Sequence, residues 1–570
     1  MTTEATTLYE NGKVWQWMPR TGRPSEPRDF AGYASWFTTS GETISAVGHG
    51  AVPQDVRALA ATVVDLQGHA VLPGLQDSHI HLYHMGEVAH YVDLRGTSSF
   101  DDLSARVMAH AAKFPLADWL VGFGWEQDKL SSCARYPSRA DLDAIPVSRP
   151  IYLWRTCFHI AVVNSKALAV AGLDISPHPA WTQPVAGGVV DVDGDGVPTG
   201  ILRESAVNLV QKYIVETSDA IRTQYLQIGL QTCLEFGLTA VHTNDAHCLP
   251  LYRALQASGQ LPLRVYLTPD QHEVDPRRSR RDVLGPPFQD NLLTVDRVKL
   301  FGDGSLGAET AALRQPYRDS TNKGVLVHSD ADLADRIQIA TDAGYRVEIH
   351  AIGDGAAAQV LAAMATVEGG IDRPLLTHCQ ILGPDLLEKM AALNVVANIQ
   401  PSFVVTDAAF AAKRLPPALL PYSYCWQKMT RAGVVCAGGS DAPIETSNPF
   451  QGMYDAMHRR APLDDPRECF AFPHALQLYT LNGAYAAKEE ARLGEVAPGF
   501  QADFVVVKYD LVESDASKLL ANDLLQRVFV QGIERYNAST RPPVSSPLAI
   551  QASGLPGKNG QIRICRCCRV

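Results

Sequence analysis

Between about residues 70 and 490, short apolar runs alternate with stretches of helical spacing. Apolar runs of about four to eight residues, bounded by turn residues, are typical of buried parallel strands. Eight such runs are AVLPGLQDSHIH, LTAVHTN, LRVYLTP, DRVKLFGDG, YRVEIHAIGD, RPLLTHCQ, NVVANIQP and GVVCAGGSDAP. Eight strands separated by crossover helices predict an α/β fold of the (β/α)8 TIM barrel type.

Two further strand-like runs, WLVGFGW and PIYLWRTCFHIAVV, lie between the first and second of these eight. An eight-stranded barrel has no place for them, so we assign about 86–218 to a large insertion after strand 1. Within the insertion, GGVVDVDGDGVPTG predicts a hairpin. The same stretch begins like a calcium-binding loop, but Leu202 occupies the position where such a loop needs a glutamate.

Both ends of the chain are rich in short strand patterns, such as LYENGKVW near the start and GEVAPGFQADFVVVKY near the end. The dipeptide Asn11-Gly12 predicts a hairpin turn. We expect residues 1–68 and 491–540 to form one small β-sandwich-like domain beside a barrel of residues 69–490.

Charge and composition argue against a nucleic-acid-binding, membrane-spanning or secreted protein. The net charge is −11 and no long Lys/Arg run occurs, which argues against nucleic acid as a partner. No apolar stretch reaches the ~20 residues of a membrane span, and MTTEATTLYE does not resemble a secretory signal. We therefore expect a cytoplasmic protein with no membrane partner. Its scattered cysteines would be reduced, and residues 541–570, which contain CRCC, would be a disordered tail.

Candidate metal ligands stand at or near the ends of the predicted strands. His79 and His81 are two residues apart on strand 1, so both side chains face the same side. Lys299 lies between two apolar residues, where a charged head needs solvent, a partner or a modification. The full set is His79, His81, Lys299, His350, His378 and Asp441.

Spacing strengthens the case for this set. His378 follows His350 by about one strand–helix repeat, and Asp441 follows His378 by about two. These are the spacings expected for residues that end strands 5, 6 and 8. Each residue alone has an ordinary structural explanation, but six at the functional face of one barrel indicate a shared site.

Several motifs resemble those of the metal-dependent amidohydrolase superfamily. PGLQDSHIHL is similar to its strand 1 motif. Resemblance to the branch that contains N-substituted formamide deformylases extends over VNSKAL, GVPTGILRE, VKLFGDGSLG, IHAIGDGA, HCQIL, GGSDAP and LGEVAPGFQADFVVV. This resemblance spans about residues 7 to 535. It implies a hydrolase that cleaves a non-peptide carbon–nitrogen bond, in an amide or formamide of a small molecule.

The resemblance also implies two divalent metal ions, with zinc expected. His79, His81 and Asp441 would hold the first ion, and His350 and His378 the second. Lys299, carboxylated by carbon dioxide to a carbamate, would bridge them. A metal-bridging hydroxide would attack the substrate, and Asp441 would be the catalytic acid and base.

A second group of residues is assigned to substrate binding. It consists of Trp125, His159, Glu204, His242, Ser305 and Phe403. Glu204 is included because it matches a recurring position of the branch, and the others because of their place along the chain. For Glu204 the alternative is a carboxylate at a helix start, for His159 a satisfied core histidine, and for Trp125 ordinary packing. The branch often has an acidic residue before the strand 6 histidine and a histidine after the QP of strand 7. Here those positions hold Thr377 and Ser402, which puts transfer of a substrate in doubt.

Other functions stay open at this point. A lactone or ester hydrolase uses the same attack on a carbonyl, and a heterocycle deaminase uses the same fold. Lys299 argues against a single-metal deaminase, which lacks a bridging lysine. From another class, a non-catalytic amidohydrolase-like scaffold would have lost metal ligands. The expected partner is a small-molecule substrate, and a homodimer is a possible assembly.

Overall fold

A computed structural model describes residues 5–24, 26–115, 118–130, 135–173, 188–214, 218–277 and 283–540. The predicted tail, 541–570, and Cys133 lie outside these residues. The described chain has a mixed α/β fold in which parallel strands form the centre and two further β regions flank it.

The central strands form two sheets of five. The first has the order Phe288–Asp290, Leu293–Val295, Arg264–Leu267, Leu238–Thr243 and Leu75–Ile80. The second has the order Arg297–Phe301, Arg346–Ala351, Leu375–His378, Val396–Ile399 and Val435–Gly438. Neighbours are parallel except at Phe288–Asp290. Each of the eight predicted apolar runs contains one of these strands.

The two sheets contact each other at two places. Just beyond the strand Arg264–Leu267, Asp270 forms a parallel β-bridge with Lys299 of the second sheet. Between the strands Leu75–Ile80 and Val435–Gly438, the Asp441 amide donates to the His79 carbonyl oxygen over 2.8 Å. The carboxyl ends of the parallel strands therefore lie on one side of the fold.

Helices connect the central strands and cover their outer faces. Ser218 and Ser329 accept backbone N–H groups at the starts of two of them, as expected for helix N-caps. The connecting and flanking helices are Leu82–Val88, Asp219–Glu235, Leu249–Ala257, Asp330–Asp342, Asp354–Ala365, Pro384–Ala392, Pro401–Arg414, Trp426–Ala432, Pro449–Met457, Phe472–Leu478 and Leu481–Ala487.

The two ends of the described chain share one sheet. Its order is Ile533–Asn537, Leu525–Val530, Phe504–Val507, Ala70–Pro73, Lys13–Trp17 and Phe30–Ala34. A four-stranded sheet faces it, with the order Thr43–Gly48, Trp36–Ser40, Thr6–Glu10 and Ala60–Asp65. Aromatic rings fill the space between them, for example Tyr9 stacked on Phe37 at 4.6 Å and edge-on to Phe504 at 5.2 Å.

The hairpin predicted at Asn11-Gly12 is wrong. The strands that this turn joins, Thr6–Glu10 and Lys13–Trp17, belong to different sheets. Asn11 does adopt the left-handed conformation that the dipeptide favours, with φ of 57°. Local turn chemistry was therefore predicted correctly, but packing between two sheets decides where the strands go.

The chain between Leu75–Ile80 and Leu238–Thr243 forms a separate six-stranded sheet. Its order is Gly188–Val192, Pro198–Glu204, Ile160–Val163, Ile151–Arg155, Leu120–Trp125 and Val92–Asp93. Its helices are Phe100–Lys113, Arg139–Asp143, Ser165–Val170 and Asn208–Gln211. The predicted hairpin is present as the antiparallel pair at one edge. This sheet forms one wall of the site described below.

Seven of the cysteines predicted to be reduced are free thiols in the described part of the chain, and five of these are buried. Among the described residues, no helix combines the length and the apolar character needed to cross a membrane.

Candidate active site

A compact group of buried side chains lies at the carboxyl ends of the central strands. We call it the strand-end cluster, and it consists of His79, His81, Lys299, His350, His378 and Asp441. All six line one small cavity. Because alternate residues of a strand share a face, His79 and His81 point the same way, with ring centroids 5.1 Å apart. The structure brings together every residue that was predicted as a metal ligand.

Distances divide the cluster into two neighbouring parts. Asp441 Oδ1 lies 3.0 Å from His81 Nε2 and 3.3 Å from His79 Nε2. One ligand atom from each of these three residues lies within 4.8 Å of the other two. In the other part, the rings of His350 and His378 are 4.6 Å apart. Lys299 Nζ lies 3.3 Å from His79 Nε2.

Polar groups behind the cluster orient three of the imidazoles. His81 Nδ1 donates to the Asn244 carbonyl oxygen over 3.0 Å, and His378 Nδ1 donates to Gln400 Oε1 over 2.8 Å. His79 Nδ1 lies 2.7 Å from a carboxylate oxygen of Glu348. A proton held on each Nδ1 leaves the Nε2 lone pair directed into the cavity. This is the arrangement that metal-binding histidines usually have.

The surroundings of His350 provide a direct test of whether a cation fits. Both of its ring nitrogens are buried and have no hydrogen-bond partner among the described residues. Its Nε2 lies 3.8 Å from Asp303 Oδ1, beyond hydrogen-bond distance. A buried polar nitrogen without a partner is costly, and a divalent cation would satisfy it. The imidazole and carboxylate ligands of the cluster suit zinc or a similar ion.

Electrostatics in the cluster also favour a bound cation. Burial lowers the pKa of His378 to about 3 and that of His350 well below its usual value, so both are neutral and able to ligate. Burial opposes ionisation of Asp441, but its contacts with the His79 and His81 imidazoles hold its pKa well below the usual value. Burial and the Lys299 charge act to lower the pKa of His79, but its contacts with Asp441 and Glu348 outweigh them and raise it. Positive charge is therefore stabilised at this point.

A second and larger cavity opens beside the strand-end cluster. It is about 250 Å³ in volume, and His159, His350, His378 and Asp441 border both cavities. Its apolar lining consists of Leu306, Ile352, Phe403, Phe410 and Ile444. Its charged lining outside the cluster consists of Arg95, Glu126, Lys129, Arg155, Asp407 and Glu445. A small molecule in this cavity would contact both apolar and charged groups while one end reaches the cluster.

Four of the predicted substrate-binding residues lie at or next to this cavity. His159, Ser305 and Phe403 line it. The Phe403 ring stacks on His378 at 5.9 Å between centroids. Glu204 stands behind His159, with its carboxylate 2.8 Å from His159 Nδ1. Glu204 is therefore placed to orient His159. It ends the strand Pro198–Glu204 and directly precedes the 3₁₀-helix Ser205–Val207, but its side chain makes no cap hydrogen bond there.

The structure does not bring the other two to the cavity. Trp125 is fully buried in the inserted sheet, where its indole N–H donates to the Leu153 carbonyl oxygen over 2.9 Å. His242 is buried beneath the cluster, with its Nδ1 3.0 Å from a guanidinium nitrogen of Arg297. Neither side chain is therefore placed to contact a molecule in this cavity, contrary to the prediction. A strand residue one position away from the right face packs into the core and does not reach the pocket.

Three positioning residues were missed by sequence reasoning. Glu348 contacts His79, Gln400 accepts from His378, and Asp303 accepts the amide N–H groups of Ile352 and Gly353 just after His350. A signal for Glu348 was available, because it lies two residues before His350 and so shares its face of the strand. Nothing in the sequence paired Gln400 with His378, because they are on different strands.

The sequence and the structure both match known proteins over most of the chain. Residues 62–533 match the model of the amidohydrolase family. The Bacillus subtilis protein named amidohydrolase YtcJ is 33% identical to this chain. The match covers 80% of this chain and 87% of the Bacillus protein. N-substituted formamide deformylase of Arthrobacter pascens is 27% identical to this chain. The match covers 87% of this chain and 94% of the deformylase.

Among solved structures, an uncharacterized metal-dependent hydrolase from Pyrococcus furiosus superposes with a TM-score of 0.70 and 28% identity. That match covers 89% of this chain and 100% of the other. The family match spans well over half of the chain and includes every residue of the strand-end cluster. The chain therefore belongs to the amidohydrolase family.

Proposed function

We propose that this chain is a metal-dependent hydrolase that cleaves a non-peptide carbon–nitrogen bond in an amide or formamide of a small molecule. The observation that carries the proposal is the strand-end cluster, in which six ligand-type side chains converge beside a cavity. The name of the Arthrobacter relative supports this class of bond. We further propose that eight of the central strands, one from each predicted apolar run, close into a barrel, because the two sheets contact each other both at Asp270 and Lys299 and at His79 and Asp441.

His79, His81 and Asp441 would hold one zinc ion, and His350 and His378 a second. A lysine ammonium has no lone pair, so Lys299 can bridge the ions only as a carbamate. Its Nζ lies 3.3 Å from His79 Nε2 and 3.7 Å from Glu348 Oε1. When bound, the metal supplies Lewis acidity, which lowers the pKa of water towards neutrality and polarises a carbonyl oxygen.

The residues of the chain then have distinct tasks. Asp441 is placed to take a proton from the attacking water and to return it to the leaving nitrogen. His159, oriented by Glu204, faces the cavity opposite His350, with ring centroids 6.2 Å apart, and can bind the substrate carbonyl group. Phe403 and the other apolar lining residues can hold the substituent on that carbonyl or on the nitrogen.

A substrate screen tests the proposed bond class. Zinc-loaded protein is assayed with N-formyl amines, N-acyl amino acids, lactones and aminopurines. We expect turnover of the first or second group. Faster turnover of lactones would indicate an ester-type hydrolase, and release of ammonia from aminopurines would indicate a deaminase. Either result would contradict the proposal.

Metal analysis separates the enzyme from a non-catalytic scaffold on the same fold. Elemental analysis of protein purified with bicarbonate and zinc should give stoichiometric metal, and chelation should abolish turnover. Omission of bicarbonate should reduce metal content if Lys299 must be a carbamate. Efficient hydrolysis after complete removal of divalent ions would refute a metal-dependent mechanism.

A further inference from the structure

A second group of metal-ligating side chains lies in the loops after the second and third central strands. His247 follows Leu238–Thr243 and precedes the helix Leu249–Ala257. His272 and Glu273 belong to the short 3₁₀-helix Gln271–Glu273, which follows Arg264–Leu267. One ligand atom from each of His247, His272 and Glu273 lies within 4.8 Å of the other two. We call these three residues the loop cluster.

The two imidazoles of the loop cluster meet through nitrogen atoms. His247 Nε2 and His272 Nε2 are 3.3 Å apart, with the ring planes inclined by 59°. Two nitrogens bound to one tetrahedral zinc ion at the usual bond length of about 2.0–2.1 Å would be separated by about 3.4 Å. The observed separation therefore matches a pair of ligands on one ion. Two neutral nitrogens at this distance otherwise need a proton between them.

Carboxylates stand behind both rings. A Glu273 oxygen lies 3.3 Å from His247 Nδ1 and also accepts the His247 amide N–H over 3.1 Å. An Asp270 oxygen lies 3.5 Å from His272 Nδ1. Carboxylates in this position direct the Nε2 lone pairs outward and raise the affinity of imidazole for a metal. Their negative charge also favours a cation between the rings.

The backbone of the loop cluster is already held in place. His247 has a φ of 57°, a left-handed conformation that is uncommon for a residue with a side chain. Asp270 and Glu273 form a capping box on the short helix, and Glu273 Oε1 accepts the Asp270 amide N–H over 3.0 Å. The side chains of the loop cluster are mostly buried, with 28%, 11% and 3% exposed for His247, His272 and Glu273. These features describe a prepared site that remains accessible to an ion.

We propose that the loop cluster is a structural zinc site, separate from the strand-end cluster, with His247 Nε2 and His272 Nε2 as protein ligands. Water would complete the coordination, and the Glu273 and Asp270 carboxylates would hold the two imidazoles from behind. An ion there would tie the loop after the second strand to the loop after the third. The second of these loops contains Asp270, which forms a β-bridge with Lys299. The site would thus stabilise the backbone beside Lys299 without taking part in the chemistry.

The first test is the zinc content of the full chain. The variant His247→Ala/His272→Ala is compared with wild type and with His458→Ala/His474→Ala, which removes two partly exposed imidazoles elsewhere. After zinc loading and desalting, we expect about one zinc ion fewer per chain in the first variant only. Zinc should raise the Tm of wild type more than that of this variant. Equal zinc content and an equal shift in Tm would overturn the proposal.

A second measurement avoids variants that fail to fold. Crystals of the wild-type chain grown with zinc should show an anomalous scattering peak between His247 and His272. A peak at the strand-end cluster alone would mean that the two imidazoles share only a proton, and the proposal would fall. The reverse result, a peak at the loop cluster alone, would contradict the proposed function and leave this inference intact.

Discussion

The floor and the wall of the candidate active site are built in different ways. The floor is the strand-end cluster, whose residues lie on or next to parallel strands and are all buried. The wall is formed by the inserted sheet, by loops and by the helix Pro401–Arg414, and it combines apolar residues such as Phe403 with charged ones such as Arg155. On the floor, two imidazoles have a hydrogen-bond acceptor behind them and a third has the Glu348 carboxylate at 2.7 Å.

This difference separates chemistry from selectivity. A rigid floor keeps ligand atoms within a few tenths of an ångström of a productive arrangement. A wall made of loops and an insertion can vary without disturbing that arrangement. Substitutions in the floor should therefore change kcat or metal binding, whereas substitutions in the wall should change KM and the choice of substrate.

The largest effect is expected for Asp441→Asn. An amide keeps the shape of the side chain but cannot take up the proton, so kcat should fall by about 10²–10⁴-fold. The measurement is steady-state kinetics on the best substrate of the screen, together with metal content. Asp335→Asn is the matched control. Asp335 is half exposed on the helix Asp330–Asp342, outside the strand-end cluster, and it pairs with Arg277. Near-normal kcat in Asp441→Asn would rule out its role as acid and base.

A smaller effect is expected for Glu348→Gln. Glu348 contacts His79 Nδ1 at 2.7 Å, so its loss should weaken metal binding by about 10–100-fold. Competition with a chelator at a series of concentrations measures this affinity. Glu490→Gln, which removes a partly exposed partner of Arg373, serves as the control. Unchanged metal affinity would show that Glu348 does not orient His79.

Phe403→Ala tests the wall. Loss of this ring should raise KM for apolar substrates by roughly tenfold and leave kcat within a few-fold. Phe410→Ala is a useful comparison, because Phe410 lines the same cavity and Phe403 also stacks on His378. If Phe403→Ala lowers kcat and leaves KM unchanged, then Phe403 belongs functionally to the floor.

The pH dependence of stability tests a carboxyl group of the wall. Burial raises the pKa of Glu445 from 4.5 to about 8. The folded protein then binds a proton that the unfolded chain releases, so Glu445 lowers the free energy of unfolding progressively as pH rises from about 4.5 to about 8. Glu445→Gln should reduce this loss. Urea unfolding at about pH 6 and about pH 8.5 measures it. An identical pH dependence in both proteins would contradict the assigned burial.

Much of the central fold could be predicted from periodicity. Each apolar run was long enough and sufficiently rich in branched residues to indicate a buried strand, and the structure has a strand in each. The same reasoning failed at Asn11-Gly12, where the turn is correct but its two strands enter different sheets. It also failed for Trp125 and His242, because a pattern along the chain does not say which face borders a cavity.

By itself, the sequence determined where the central strands lie along the chain and which six side chains stand at or near their ends. Both depend on local spacing. Only the tertiary structure decided what stands behind those side chains. Gln400, just after one strand, accepts from His378 of the preceding strand, and Glu348 contacts His79 of a strand far from it in the sequence. Such contacts depend on sheet register and on the packing of buried polar groups, which no short stretch of sequence encodes.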